Sequence, residues 1–322
     1  MDKLNLKPDD RVLILGATGF IGQRLVKALG EQKVRLRILA RTPSKAETMI
    51  PAGCDVEIVP GDLMDALSLE QALKGIHTCY YLVHSMGGKS LTKNTEFVKK
   101  DKKAAENFKN AADSQKLKRV IYLGGLGEKG SDLSEHLQSR AMVADIISSG
   151  RARATVLRAA VIIGAGGASY EMLRYLVERL PVMTCPKWIK TRIQPIAVQD
   201  VIKYLTGCLQ NPDTAGQIFD IGGPDIMTYK SMMQEYAEAR GLAKRIIIDL
   251  PFITPALSAY WVDLVTPVPA GIAHPLIEGM KNEVICMDNR IEEFIPIDKT
   301  PFRNAVQLAF AEEKSGPGIA GF

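Results

Sequence analysis

Seven residues constrain this chain more than any others: Gly16-Ala17-Thr18-Gly19-Phe20-Ile21-Gly22, placed directly after the apolar run Arg11-Val12-Leu13-Ile14-Leu15. An apolar run that ends at glycine reads as a strand entering a tight turn, and the apolar spacing over 21–29 is helical. The glycines have separate mechanical tasks. Gly16 permits the sharp turn, Gly19 lets a ligand approach the backbone, and Gly22 lets the helix pack on the sheet. A helix N-terminus presents unpaired N–H groups and the positive end of its dipole, so the ligand such a turn suits is a phosphate or pyrophosphate. A second strand close behind, over 34–40, supplies the context in which a glycine turn holds a dinucleotide.

The alternation continues through the first half. Strands are predicted at 56–59, 78–83 and 119–123, with a long helix over 94–114 before the last of them. Apolar strand runs separated by helices specify a parallel sheet covered on both faces, a doubly wound α/β fold of the Rossmann type. After about Gly164 the pattern loosens into helices over 168–180, 198–209, 229–240, 255–264, 270–280 and 302–311, with short strands at 193–196 and 217–221. We therefore expect a dinucleotide-binding Rossmann domain over 1–167, to which 193–225 returns. A smaller, irregular lobe over 168–192 and 226–322 would face a substrate or an interface.

Composition removes several classes. Hydrophobic residues are 46% and charged residues 24% of the 322, which excludes disordered and fibrous chains. The net charge of +5 comes from 41 basic and 36 acidic residues spread along the chain. The densest run, Lys99, Lys100, Lys102 and Lys103, reads as a solvated helix face, so no nucleic-acid partner is expected. Five scattered cysteines without C-x-x-C fit a reducing cytoplasm, and four histidines without H-x-x-x-H supply no metal site. The polar N-terminus is no signal peptide. The most apolar stretch, 252–277, contains Pro255, Pro267, Pro269, Pro275 and Asp263. It reads as buried helices or a homo-oligomer interface and not as a membrane span.

The end of the second strand bears on which nucleotide is held. NAD binders carry an acid there for the ribose 2′-hydroxyl. This chain has Arg41 and, four residues on, Lys45. Arg41 either pairs with the 2′-phosphate of NADP(H), with Lys45 adding charge, or is a solvated loop arginine. NADP(H) is the expected cofactor, with NAD(H) second. After the third strand, Asp62 of Gly61-Asp62-Leu63 either meets the adenine amino group beside Leu63 or caps the next turn.

These elements resemble the short-chain dehydrogenase/reductase superfamily, in its extended or atypical branch. The resemblance runs from about residue 10 to 240 and rests on GATGFIG at 16–22, LAR at 39–41, GDL at 61–63, YYLVHSMG at 80–87 and RVIYLGGLG at 119–127. LRAAVIIG at 157–164, QPIAVQDVIKYL at 194–205 and GQIFDIGGPDIMTY at 216–229 continue it. It implies a Rossmann fold and a nicotinamide cofactor, with Thr18, Phe20, Ile21, His84 and Arg158 joining the cofactor set. It does not by itself imply a reaction.

The departures fall on the family's catalytic groups. Its Ser/Thr position falls on Gly124 or Gly125, its Tyr-x-x-x-Lys on His136 and Arg140, and its Asn on Asp101. Three readings stay open. His136 replaces tyrosine as proton donor, with Arg140 holding the nicotinamide ribose as the family lysine does. In that case a nearby Arg140 cation disfavours the imidazolium, and reduction is faster at mildly acidic pH. Alternatively the donor comes from elsewhere, His84 or Tyr170. In the third reading the protein binds NADP(H) and turns nothing over, as a sensing regulator or an accessory subunit of a larger complex. A hydride acceptor would be a small carbonyl or enone compound. Tyr170, Trp188, Arg192 and Gln194 are the predicted lining of its pocket, joined by Tyr260 and Trp261. Asp200, at the start of a helix, reads as a cap or dipole partner. Met172, Met183, Met227, Met232 and Met233 read as core or pocket filler.

Overall fold

The computed structural model describes residues 5–84, 94–127, 134–249 and 265–315. Its centre is a sheet of seven parallel strands: β1 (Arg11–Leu15), β2 (Arg35–Ala40), β3 (Val56–Pro60), β4 (Ile76–Tyr81), β5 (Arg119–Gly125), β6 (Arg153–Ala159) and β11 (Ile218–Ile221), in the order β11-β6-β5-β4-β1-β2-β3. Period-two alternation explains why these runs are apolar throughout. In β1, Val12 and Ile14 enter the core on one face, while Leu13 and Leu15 enter the core on the other. Tyr80 and Tyr81 divide in the same way. The Tyr80 hydroxyl donates to the Leu205 carbonyl at 2.9 Å, and Tyr81 packs edge-on to Phe108 and Tyr122. The strand order reverses between β1 and β4, and in open α/β sheets ligands bind in the crevice at such a point.

Helices α1 (Phe20–Glu31) and α7 (Val198–Gln210) cover the first face. Helices α3 (Ala66–Leu73), α4 (Asn94–Ser114) and α5 (Glu135–Ser148) cover the second. The short helix α2 (Pro43–Glu47) follows β2. A third apolar cluster forms beyond the sheet's carboxyl end. It joins α6 (Ala168–Arg179), α8 (Tyr229–Ala239), α9 (Ala270–Gly279) and α11 (Phe302–Ser315) with the parallel pair β8 (Val182–Cys185) and β13 (Ile246–Asp249).

The expected helices over 94–114, 168–180, 198–209, 229–240, 270–280 and 302–311 are present within a few residues of their predicted ends. The strand expected at 193–196 is instead two pairs of residues in different sheets. β9 (Arg192–Ile193) is antiparallel to β12 (Met227–Thr228), and β10 (Ile196–Ala197) is parallel to β7 (Ile162–Ile163). Pro195, which has no N–H to give a ladder, separates them. The helix expected over 255–264, with Tyr260 and Trp261, lies outside the described residues. No helix among the described residues is long and apolar enough to cross a membrane.

Candidate cofactor cleft and active site

The glycine turn is built as its spacing requires. Gly16 has a φ of +84°, and a Cβ there would sit 2.9 Å from the Leu82 carbonyl oxygen of the neighbouring strand end. A Cβ at Gly22 would strike the Gly16 carbonyl oxygen and the Ala17 Cα, so Gly22 closes the helix against the turn itself. Gly19 is different. Its φ of −82° suits any residue, and a Cβ would meet only the Gly16 carbonyl oxygen, at 3.3 Å. Gly19 is the N-cap of α1, has no side chain to cap with, and accepts from the Gln23 amide at 3.0 Å. The amides of Phe20, Ile21 and Gly22 precede that first helical bond, and no acid stands in the first turn. This is a cradle suited to a pyrophosphate.

A single cleft of 1630 Å³ runs past this turn. At one end it is lined by Arg41 and Lys45, both exposed and without an ion-pair partner among the described residues. It continues past Gly16, Thr18, Gly19, Phe20, Ile21 and Gly22, then His84, to Gly124, Gly125, His136 and Arg140. Beyond these it widens between α6, α8 and α9. A pocket for one small ligand holds roughly 300–1,000 Å³, so this cleft has room for a dinucleotide and a second molecule.

His136 and Arg140 lie four residues apart on α5 and so share a face. Burial pushes the His136 imidazole down to about 4, and burial, not the Arg140 charge expected above, is the cause. The imidazole is therefore neutral at pH 6–7, which corrects the expectation of an acid form at mildly acidic pH. Burial also lowers Arg140, to about 10, so the guanidinium stays charged at neutral pH. No carboxylate pairs with it among the described residues. The neighbouring Ser139 hydroxyl donates to Asp101 at 3.0 Å, tying α5 to α4 at the position where the family carries asparagine.

Several expected site residues point elsewhere. Arg158 sits across from Asp220 on β11 and is held by its carboxylate at 2.7 Å. Asp62 accepts the Met64 amide at 2.8 Å, the turn-capping alternative, and neither it nor Leu63 lines the cleft. Tyr170 is fully buried on the far face of α6, against Tyr236, while Ser169, Met172, Leu173 and Leu176 face the cleft. Arg192 makes a two-pronged pair with Glu283 at 2.9 Å. Gln194 is buried, donating to the Gly223 carbonyl at 2.7 Å and accepting from the Cys286 amide at 2.9 Å. The side chain of Trp188 lies outside the described residues. Asp200 does not cap its own helix. It holds Thr300, accepting the amide at 2.6 Å and the hydroxyl at 3.1 Å.

Two cleft residues escape sequence reading. Gln199 lines the cleft with a buried, unpartnered Oε1. Arg24 of α1 reaches Glu312 of α11 at 2.6 Å and the Ala165 carbonyl at 2.8 Å, joining the cofactor helix to the last helix. Arg24 belongs to no motif, and Gln199, though inside the 194–205 segment, has no assigned role there. A helical wheel of α7 would have separated Gln199 from the inward Asp200 beside it.

A nucleotide-binding crevice at the switch point of a Rossmann sheet is what the geometry defines. Residues 16–174, just under half of the 322-residue chain, match the NAD(P)H-binding family. The chain is 27% identical over 239 residues to ceramide reductase of Caulobacter vibrioides, covering 73% of this chain and 72% of that one. It is 24% identical over 224 residues to subunit 9 of the NADH dehydrogenase [ubiquinone] 1 alpha subcomplex of mouse mitochondria. That match covers 66% of this chain but only 56% of the mouse protein. In fold it resembles the triphenylmethane reductase of Citrobacter complexed with NADP(H), with a TM-score of 0.70 at 18% identity over 92% of this chain and 99% of that one.

Proposed function

We propose that the protein is an NADPH-dependent reductase of a carbonyl or enone compound, with His136 and Arg140 at the reacting end. The observation that carries this reading is the continuity of the cleft. It does not stop at Gly124 and Gly125 but passes the two α5 side chains and opens into a chamber under α6, α8 and α9. Arg41 and Lys45 stand where a 2′-phosphate would lie, which supports NADPH over NADH.

The glycine turn at Gly16–Gly22 with Arg41 and Lys45 would hold NADPH, which when bound would supply the hydride and be oxidised to NADP⁺. As the acceptor's C=O bond opens and its carbon takes the hydride, charge grows on the oxygen. Arg140, desolvated yet still a cation, stabilises that charge. His136, neutral at working pH, holds the oxygen by an N–H hydrogen bond, and water entering the cleft delivers the proton. Asp101, through Ser139, positions the turn of α5 that carries Arg140. The helices beyond the sheet form the substrate-facing lobe.

A second reading, a non-catalytic NADP(H) sensor or accessory subunit, is favoured by one feature. Gly124 and Gly125 provide no hydroxyl, and the imidazole carries no charge to give. Single-turnover NADPH oxidation over a panel of ketones, aldehydes and enones separates the two. The reductase consumes NADPH stoichiometrically, and His136→Phe slows that step roughly tenfold, the worth of one buried hydrogen bond, while NADPH still binds. Intact NADPH with every acceptor supports the sensor.

A further inference from the structure

The chamber beyond His136 and Arg140 is uniform in its chemistry. Where α6, α8 and α9 face the cleft, none of the described residues carries a charge, and the walls are set by Met172, Leu176, Met233, Leu276 and Met280. Met172, Met233 and Met280 are themselves buried. The lysine, arginine and acidic side chains of these helices are turned away. Arg174, for example, is held on the other side of α6 by Glu171, Glu178 and Glu313. Charge returns at the α5 end, where Arg140 stands beside the neutral His136, at the Arg24–Glu312 ion pair, and toward the nucleotide end at Lys27, Glu31, Arg41 and Lys45. This polarity, one cation without a carboxylate partner among the described residues at the α5 mouth and an uncharged wall behind it, selects for a molecule of the same polarity. A phosphorylated or carboxylated body in the chamber would lose its hydration with no cation to replace it. Unbranched, polarizable methionines also tolerate bodies of varied shape.

We propose that the chamber takes the uncharged, extended apolar body of a carbonyl compound, whose C=O alone reaches His136 and Arg140. The acceptor is thus lipid-like in chemistry, distinct from a sugar nucleotide or a short polar metabolite. This rests on the reductase reading for the role of the C=O, while the binding of the apolar body stands independently of it.

The test is a homologous series of methyl ketones from four to twelve carbons, with a matching series carrying a terminal carboxylate. Affinity for the NADPH-bound protein is read by quenching of nicotinamide fluorescence, and NADPH oxidation is followed in parallel. Each buried methylene should tighten binding about threefold to fourfold until the chamber is filled. The carboxylates should bind at least tenfold more weakly than ketones of equal length. Leu176→Gln and Leu276→Gln, at partly buried wall positions, should flatten the chain-length dependence while still binding NADPH, which reports that they fold. Rising affinity without NADPH oxidation would support the apolar chamber and remove the reductase reading. Oxidation at a rate and affinity independent of chain length would keep the reductase and overturn the chamber. Equal binding of the carboxylates, or no binding of any ketone, would also overturn it.

Discussion

Arg41 is exposed and unpaired among the described residues, so its removal takes nothing from the fold. A hydrogen bond to a charged group contributes about 1.5–3 kcal/mol, so Arg41→Ala should weaken NADPH binding about 10- to 100-fold and leave NADH binding nearly unchanged. Calorimetry with both nucleotides checks this, and equal losses for the two would move the 2′-phosphate elsewhere. His136 makes a different kind of statement. Its folded value of about 4 lies below the ordinary 6.5, so between those values the unfolded chain takes up a proton that the folded chain refuses. The buried imidazole therefore costs no stability above pH 6.5, and stability falls by up to about 1.4 kcal/mol per pH unit as pH drops toward 4. Urea unfolding at pH 7.5 and pH 5 should show wild type losing stability relative to His136→Phe at the lower pH only. A constant difference at both would mean that His136 titrates normally. By the same sign, the reduction rate should be flat in His136 protonation from pH 6 to 8.

At the scale of elements, Gly16 and Gly22 were legible in the spacing, Gly16 for its positive φ and Gly22 for a close contact that falls on the turn and not on the sheet, while the backbone at Gly19 suits any residue. The structure separates their consequences. Gly19→Val should keep a native circular dichroism spectrum and abolish NADPH binding, because a side chain at this extended-backbone position faces the place a pyrophosphate would take. Gly22→Val should fail to fold, since its Cβ collides with backbone that cannot move. Normal NADPH binding by Gly19→Val would place the site elsewhere. His136 and Arg140 were set by the resemblance and by the helix continuing through Ala141–Ile147, and both line the cleft. What was not readable was facing. Tyr170 and Met172 are two residues apart on α6, yet one is sealed against Tyr236 and the other lines the cleft. A helix rotates about 100° per residue, and only its packing partners decide which side is which. Arg158, Arg192 and Gln194 were misplaced for a related reason. Each is claimed by a partner more than sixty residues away, Asp220, Glu283 and the Cys286 amide.

Across the whole molecule, the sheet followed from apolar runs, while the chamber could not be seen in the sequence at all. It exists because α6, α8 and α9, spread over a hundred residues of chain, converge on one end of the cleft. The link from Arg24 to Glu312 spans most of the sequence and has no motif. In the proposed reductase, one cleft carries the nucleotide from Arg41 to the α5 pair and leaves its reactive face open to an apolar chamber. A crystal structure with NADPH tests it most directly. The expected result is pyrophosphate on the amides at Gly19–Gly22, the 2′-phosphate at Arg41 and Lys45, and nicotinamide C4 within reach of His136 and Arg140, facing open space. A nicotinamide ring sealed against protein, or a nucleotide that leaves the glycine turn bare, would contradict it.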